Sequence, residues 1–330
     1  MKALVYTGVQ ELKWQDMPDP KLSDGDVEVA VEAVGICGSD MHAYLGHDVR
    51  RPAPLILGHE ASGLATTGKF KGKRVVFNPL VTCGMCNDCL GGRSNLCAKR
   101  EIISMMPRQG AFAEKVAIPE RNIVEIPDGM DPVKAALTEP VATALHAVGV
   151  ADRILWRPLA ECRALVLGGG AIGLSAALIL RSRGCADVVI ADTNPLRRHA
   201  GTREEGFETF DPLSASPDQN GFDLVIDAVG GRKTRETASD SIRPGGVITH
   251  IGLMDSDDGL DIRKLTLQEI TFVGTYTYTM VDFRTTVEVL HSGALGNLNW
   301  AQQWSLADGG QAFQKLHAGE IASAKIVLTR

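Results

Sequence analysis

A glycine-rich turn between an apolar strand and an apolar helix limits what this chain can fold into more than any other feature. Gly168-Gly169-Gly170-Ala171-Ile172-Gly173 follows the apolar run Ala164–Leu167 and opens the stretch Ile172–Arg183, which carries small residues on its early face. A second apolar run then ends at Asp192, nineteen residues past Gly173. The G-x-G-x-x-G spacing alone is a weak signal. Strand, glycine turn, helix and a second strand with a terminal acid together describe a dinucleotide-binding unit. In such a unit Gly168 permits the tight turn, Gly170 lets the backbone approach a pyrophosphate, and Gly173 lets helix and strand pack closely. Ala171 and Ile172 begin the helix, whose unpaired N–H groups face the phosphates. Asp192 can accept from both ribose hydroxyls and would repel a 2′-phosphate, so the turn predicts NAD, with NADP disfavoured. Arg197 and Arg198 follow a few residues on and could soften that preference or simply be solvated. The plain alternative is a glycine turn with no ligand.

Further runs at Asp187–Ala191, Phe222–Ile226, Val247–Ile251 (after the turn Pro244-Gly245-Gly246) and Ile270–Gly274 alternate with helical segments, which predicts βαβ units and a parallel sheet. Up to about Ile126 the rhythm is different: Lys2–Tyr6, Val27–Val34, Lys73–Phe77, Ala111–Ile118 and Asn122–Ile126 read as short strands between turns. Asp131-Pro132 begins a helical stretch that runs through Leu137 and, after Pro140, from Val141 to Val148. A helix at Phe283–His291 and a strand at Ala324–Leu328 are expected near the end. The 330 residues exceed the ~250–300 at which a single core usually divides, so two domains are expected.

Lys and Arg number 34 against 40 Asp and Glu, a net charge of −6, which argues against a chain-wide nucleic-acid or anionic-membrane footprint. The start lacks the apolar segment of a signal peptide, and the run from Ala164 to Leu180 is too short and glycine-rich to span a membrane. The seven cysteines are therefore read as reduced, cytoplasmic thiols that hold metal. Cys83, Cys86, Cys89 and Cys97 fall within one loop, where four thiolates can close a tetrahedron around a structural zinc. Unliganded thiols, disulfides, an iron–sulfur cluster or a nucleic-acid zinc knuckle are the alternatives, and the last lacks the interleaved aromatics that stack on bases. Cys162 and Cys185 have no partner motif and read as packing residues.

A third constellation is Cys37-Gly38-Ser39-Asp40-Met41-His42, then Gly58-His59-Glu60, then Thr138-Glu139-Pro140. Together these supply one thiolate, one imidazole and carboxylates, a set suited to a catalytic zinc with an exchangeable position. In this order, with the four-cysteine loop, the glycine turn and Asp192, the chain resembles the zinc-dependent medium-chain dehydrogenases/reductases. The branch it resembles contains sorbitol and other polyol dehydrogenases and threonine dehydrogenase.

The resemblance implies an α/β fold: a mostly-β GroES-like catalytic domain split by an inserted Rossmann domain. Its parts are expected at 1–145, 146–282 and 283–330, with the structural-zinc lobe at about 80–100. It implies two zinc ions per chain. Cys37, His59 and Glu60 would be catalytic ligands, Glu139 would bind directly, through water or by exchange with Glu60, and Asp40 would orient His59. It further implies hydride transfer between a secondary alcohol and NAD, zinc acting as a Lewis acid. Ser39 would take the proton and pass it through the nicotinamide ribose to His42.

For substrate contacts the expected residues are Tyr44, Tyr276 and Tyr278, although alternating aromatics on a strand are as often packing. Where polyol dehydrogenases often carry an arginine the chain has Thr277, and His47, Arg50 and Arg51 are expected near the same cleft. Arg50 and Arg51 could bind an acidic or phosphorylated sugar or be solvated. The expected partner is a small alcohol, polyol or sugar-derived, with neither nucleic acid nor membrane. A homodimer or homotetramer is expected through the edge strand near Ile270–Thr275. An amino-alcohol dehydrogenase resembling threonine dehydrogenase and a non-catalytic zinc and nucleotide sensor are the rival readings.

Overall fold

In the computed structural model, which describes residues 1–203, 205–321 and 323–330, the first strands are β1 (Lys2–Gly8), β2 (Glu11–Asp16) and β3 (Asp26–Gly35). Along β3 buried and half-buried residues alternate as far as Ala33, the period-2 pattern of a strand with one covered face. Val34 and Gly35 are buried as well, so the strand enters the interior just before Cys37. After α1 (Gly38–Tyr44) come β4 (Leu55–Ile56), β5 (Glu60–Ala65), β6 (Arg74–Phe77), β7 (Leu80–Val81), α2 (Asn87–Leu90), β8 (Glu101–Ile102), β9 (Lys115–Pro119) and β10 (Ile123–Glu125).

Asp131 caps α3 (Pro132–Ala136), accepting from the backbone N–H groups of Val133 and Lys134. The next helix, α4 (Thr138–Ile154), contradicts the break expected at Pro140. The proline lies in its first turn, where a missing N–H costs no intrahelical hydrogen bond.

The alternating half follows as β11 (Arg163–Leu167), α5 (Ala171–Ser182), β12 (Asp187–Ala191), α6 (Pro195–Arg203), β13 (Glu208–Phe210), β14 (Phe222–Asp227), α7 (Arg232–Ser241), β15 (Ile242–His250), α8 (Ile262–Leu267) and β16 (Thr271–Gly274). These strands form one parallel sheet in the order β13-β12-β11-β14-β15-β16. The order reverses between β11 and β14, and at such a switch point the carboxyl ends of the strands leave a crevice for a ligand. Pro244-Gly245-Gly246, expected as a turn before a strand, lies inside β15. The register against β14 slips between Phe222 and Leu224 to accommodate it, a bulge.

The chain closes with α9 (Met280–His291), β17 (Ala301–Ser305), α10 (Gly309–His317) and β18 (Lys325–Thr329). β18 runs antiparallel to β3, with Val327 opposite Gly35 and Thr329 opposite Ala33. The last strand thereby returns to the first half, in a sheet ordered β10-β6-β5-β3-β18-β17 with β9 also on β3. Positions 145 and 283, where the parts were expected to meet, fall inside α4 and α9. α4 packs on both α5 and α9. Its apolar residues share one core with those of the parallel sheet, and a separate core fills the first half.

Candidate active site

The four-cysteine loop is built for a compact metal site. The sulfurs of Cys86 and Cys89 lie 3.5 Å apart, those of Cys83 and Cys97 3.5 Å, and those of Cys83 and Cys89 3.9 Å. A tetrahedral zinc with Zn–S bonds of ~2.3 Å needs sulfurs about 3.8 Å apart. The donors therefore already stand at zinc-binding separations. Backbone N–H groups of Met85 and Cys86 point at the Cys83 sulfur and bring its thiol down to about 6, so a thiolate is at hand. The lobe is tied to the nucleotide half by Asn95, whose side-chain amide donates to the Tyr276 carbonyl at 2.8 Å.

Cys37 is the N-cap of α1, and its neighbour Asp40 joins two segments distant in sequence. The fully buried Asp40 carboxylate accepts from the Cys37 N–H at 3.0 Å and the Gly58 N–H at 3.1 Å, and lies 3.6 Å from His59 Nδ1. One acid thus positions the strand end bearing the thiol and the turn bearing the imidazole. Burial opposes its charge, but His59 and Arg51 hold it below the usual carboxylate range. For His59, burial likewise opposes the charged form, while Asp40 and Cys37 more than offset it and raise the imidazole well above its ordinary value. Donor atoms of Cys37, His59 and Glu60 all lie within 4.8 Å of one another. A thiolate, an imidazole and a carboxylate so arranged are a fitting zinc set with room for a fourth ligand.

Glu139 lies outside that trio. It is buried in the first turn of α4, and its Oε1 accepts from the Tyr278 hydroxyl at 2.9 Å. Burial pushes its carboxyl up to about 7. Glu60 has a partner of its own that the sequence reading missed. Lys325, at the start of β18, donates to both Glu60 oxygens at 2.7 and 2.8 Å and to the Ile36 carbonyl at 2.9 Å. Burial opposes its charge, and Glu60 and Cys37 hold its pKa above normal. No motif marks a lone lysine 265 residues from its partner.

Ser39 and His42 share one face of α1 at i and i+3 spacing. Ser39 is half-buried and His42 exposed, its ring 6.3 Å from that of His47. Arg51, expected in the cleft, is instead buried and structural. It donates to the Ser104 carbonyl at 3.0 Å and pairs with Asp48 at 2.6 Å.

At the glycine turn, Gly168 has φ +98, and a β-carbon there would meet a Val229 methyl at 2.6 Å. A β-carbon on Gly173 would overlap the Gly168 carbonyl oxygen, so both positions require glycine. Beside Gly170 the nearest atom to such a carbon is 4.0 Å away, which leaves open space over the start of α5. That space fits a pyrophosphate against the helix N-terminus. Asp192 sits at the end of β12, accepting from the Gly169 N–H and the Asn194 N–H at 2.7 Å each. Arg197 reaches within 3.8 Å of its carboxylate.

The three tyrosines separate. Tyr44 is buried, its ring 5.2 Å from that of Phe313, and belongs to the core. Tyr278 is also buried, stacked on Phe283 and bonded to Glu139, so it holds a carboxylate rather than substrate. Tyr276 alone is accessible, with the Arg100 guanidinium 4.9 Å from its ring centre. Thr277 between Tyr276 and Tyr278 has φ +47, rare for a β-branched residue, and its buried hydroxyl has no partner among the described residues. Of the two tyrosines expected where family members line the cleft, this turn separates Tyr276 from Tyr278, and Tyr278 takes the packing role that alternating aromatics on a strand also offered.

Residues 23–128 match the alcohol dehydrogenase GroES-like domain, and residues 171–292 match the zinc-binding dehydrogenase family. Over 89% of its length the chain is 34% identical to the L-galactonate-5-dehydrogenase of Escherichia coli, covering 88% of that protein. Over 96% it is 30% identical to the sorbitol dehydrogenase of Bacillus subtilis, covering 93%. Its fold superposes on the acetophenone reductase of Geotrichum candidum in complex with NAD with a TM-score of 0.88 at 26% identity, covering 100% of this chain and 97% of the other.

Proposed function

Because the chain belongs to the zinc-dependent alcohol dehydrogenase family, we propose that it transfers hydride between a secondary alcohol, a polyol or sugar-derived compound, and NAD. The observation that carries this reading is the convergence of Cys37, His59 and Glu60 within 4.8 Å, in a chain whose parallel sheet presents a glycine turn at its switch point. Zinc held by these residues would supply Lewis acidity at the substrate hydroxyl oxygen, and NAD seated on the glycine turn would take the hydride.

The chain's own residues do the rest. Asp40 orients the imidazole of His59 and the backbone of Cys37. Ser39, half-buried, accepts the substrate proton, and exposed His42 on the same helix face releases it to water. Tyr278 keeps Glu139 from swinging freely, and Lys325 does the same for Glu60. Cys83, Cys86, Cys89 and Cys97 hold the second, structural zinc.

The test is a panel of polyols, secondary alcohols, sugar acids and L-threonine with NAD⁺, followed by absorbance of the reduced cofactor. Turnover should depend on metal, and full activity in a rigorously zinc-free preparation would overturn the mechanism. Asp192 gives a second test. Asp192→Ser removes a charge facing the 2′ position and leaves Arg197 and Arg198 beside it. The ratio of kcat/KM with NADP to that with NAD should rise on the order of tenfold or more. An unchanged ratio would remove Asp192 from the ribose site.

No described helix is long and apolar enough to cross a membrane, and the reading includes reduced thiols and a cytoplasmic location. It also includes a homodimer or homotetramer in which the free edge of β16 pairs with its counterpart, to be checked by light scattering.

A further inference from the structure

A cavity of about 300 Å³ is lined by Arg50, Arg100, Glu101, Ile102, Met105 and Tyr276, with Ala98 and Met106 completing its wall. Three of its walls lead back to the reacting centre. Met105 adjoins Ser104, whose hydroxyl is 3.5 Å from His59 Nδ1. Arg50 adjoins Arg51, which reaches the Ser39 carbonyl at 3.4 Å. Tyr276 lies two residues before Tyr278, the partner of Glu139. The cavity wall is thus one or two residues removed from groups that touch His59, Ser39 and Glu139.

The charges around the cavity do not cancel. Asp48 is shared between Arg50, at 2.8 Å, and Arg51, at 2.6 Å, and Glu101 is matched by Arg108 at 2.6 Å. Arg51 also acts on the Asp40 carboxylate, so that pair is close to balanced. Arg100 supplies the surplus: its guanidinium donates to the Cys97 carbonyl at 3.0 Å and stacks on Tyr276, and no carboxylate pairs with it among the described residues. A stacked guanidinium keeps its remaining N–H donors in a fixed fork suited to a carboxylate or phosphate. Ile102, Met105 and Met106 offer apolar surface to a carbon chain.

We propose that the substrate carries an anionic group, carboxylate or phosphate, several carbons from the hydroxyl that is oxidised, and that Arg100 and Arg50 bind it in this cavity. The assignment rests on the alcohol dehydrogenase reading above and narrows its substrate class. The zinc- and NAD⁺-loaded enzyme is to be assayed with three substrates of one carbon skeleton: a neutral hexitol, the corresponding aldonate and the hexitol phosphate. At least one anionic substrate should exceed the neutral one in kcat/KM by on the order of tenfold or more, and whichever leads identifies the anion. Arg100→Met should reduce the anionic-to-neutral ratio by a similar factor, mainly through KM. Tyr276→Ala, which frees the guanidinium, should reduce it in the same direction.

A neutral hexitol oxidised as well as both anions, or an Arg100→Met ratio equal to that of the native enzyme, would overturn the anion site while leaving the dehydrogenase reading intact. Failure to oxidise any secondary alcohol would overturn that reading, and the site with it. Binding is read independently by fluorescence of bound NADH. Aldonate or phosphate should perturb it in the native protein at concentrations that leave Arg100→Met unaffected, and equal responses from both proteins would count against the site.

Discussion

Replacing Cys37 with alanine should reduce turnover on the order of a thousandfold or more, while NADH still binds with enhanced fluorescence. The reasoning is electrostatic. A Lewis acid at the reacting oxygen is worth several kcal/mol of barrier, and each ~1.4 kcal/mol is a factor of ten. Removing the thiolate takes away the only sulfur ligand of a trio whose donors lie within 4.8 Å. The parallel sheet and its glycine turn share none of these residues, so the nucleotide seat itself stays intact. Bound zinc should drop from two ions per chain to one, because the four-cysteine loop is a separate site. His59→Ala should behave alike. A Cys37→Ala protein that keeps both ions and most of its activity would show that the metal chemistry lies elsewhere.

Lys325→Met should be the most destabilising substitution near the site. The lysine is 4% exposed and Glu60 1%, and the ammonium satisfies both carboxylate oxygens. Methionine fills a similar volume but leaves both Glu60 oxygens without their ammonium partner, close to Glu139. Breaking a buried pair by removing one partner costs roughly 3–5 kcal/mol. The urea midpoint of the zinc-free protein should fall with little change in slope. Saturating zinc should recover part of the loss, since a ligand that binds only the native state stabilises it by mass action. A zinc-free Lys325→Met protein as stable as the native one would mean that Glu60 accepts a proton at negligible cost.

What could be read from the sequence was what neighbouring residues express together. The glycine turn, the acid ending β12, the four cysteines and the Cys37 motif are each spelled within a short span, and apolar runs alternating with helical segments announce a parallel sheet, though neither its strand order nor β13. What could not be read depends on pairing across long separations. Lys325 meets Glu60 because β18 returns beside β3, and nothing local announces that register. Tyr44 and Tyr278 were expected at the cleft from the motif and the family position they occupy, and neither says which way a side chain turns: both are buried, Tyr278 just past the positive φ of Thr277. Pro140 was read as a breaker because its position within the first turn of a helix depends on where the helix begins.

The hydrogen bond between Tyr278 and Glu139 crosses from one half of the molecule to the other. The tyrosine hangs just beyond the last strand of the nucleotide sheet, and the glutamate begins the helix that leads away from the metal centre. A nucleotide that moved residues 275–279 would reach Glu139 through this bond, and a metal that drew on Glu139 would reach residues 275–279. Linkage makes the two effects equal: the factor by which zinc changes NAD affinity is the factor by which NAD changes zinc affinity. In Tyr278→Phe that shared factor should move toward one at both sites together.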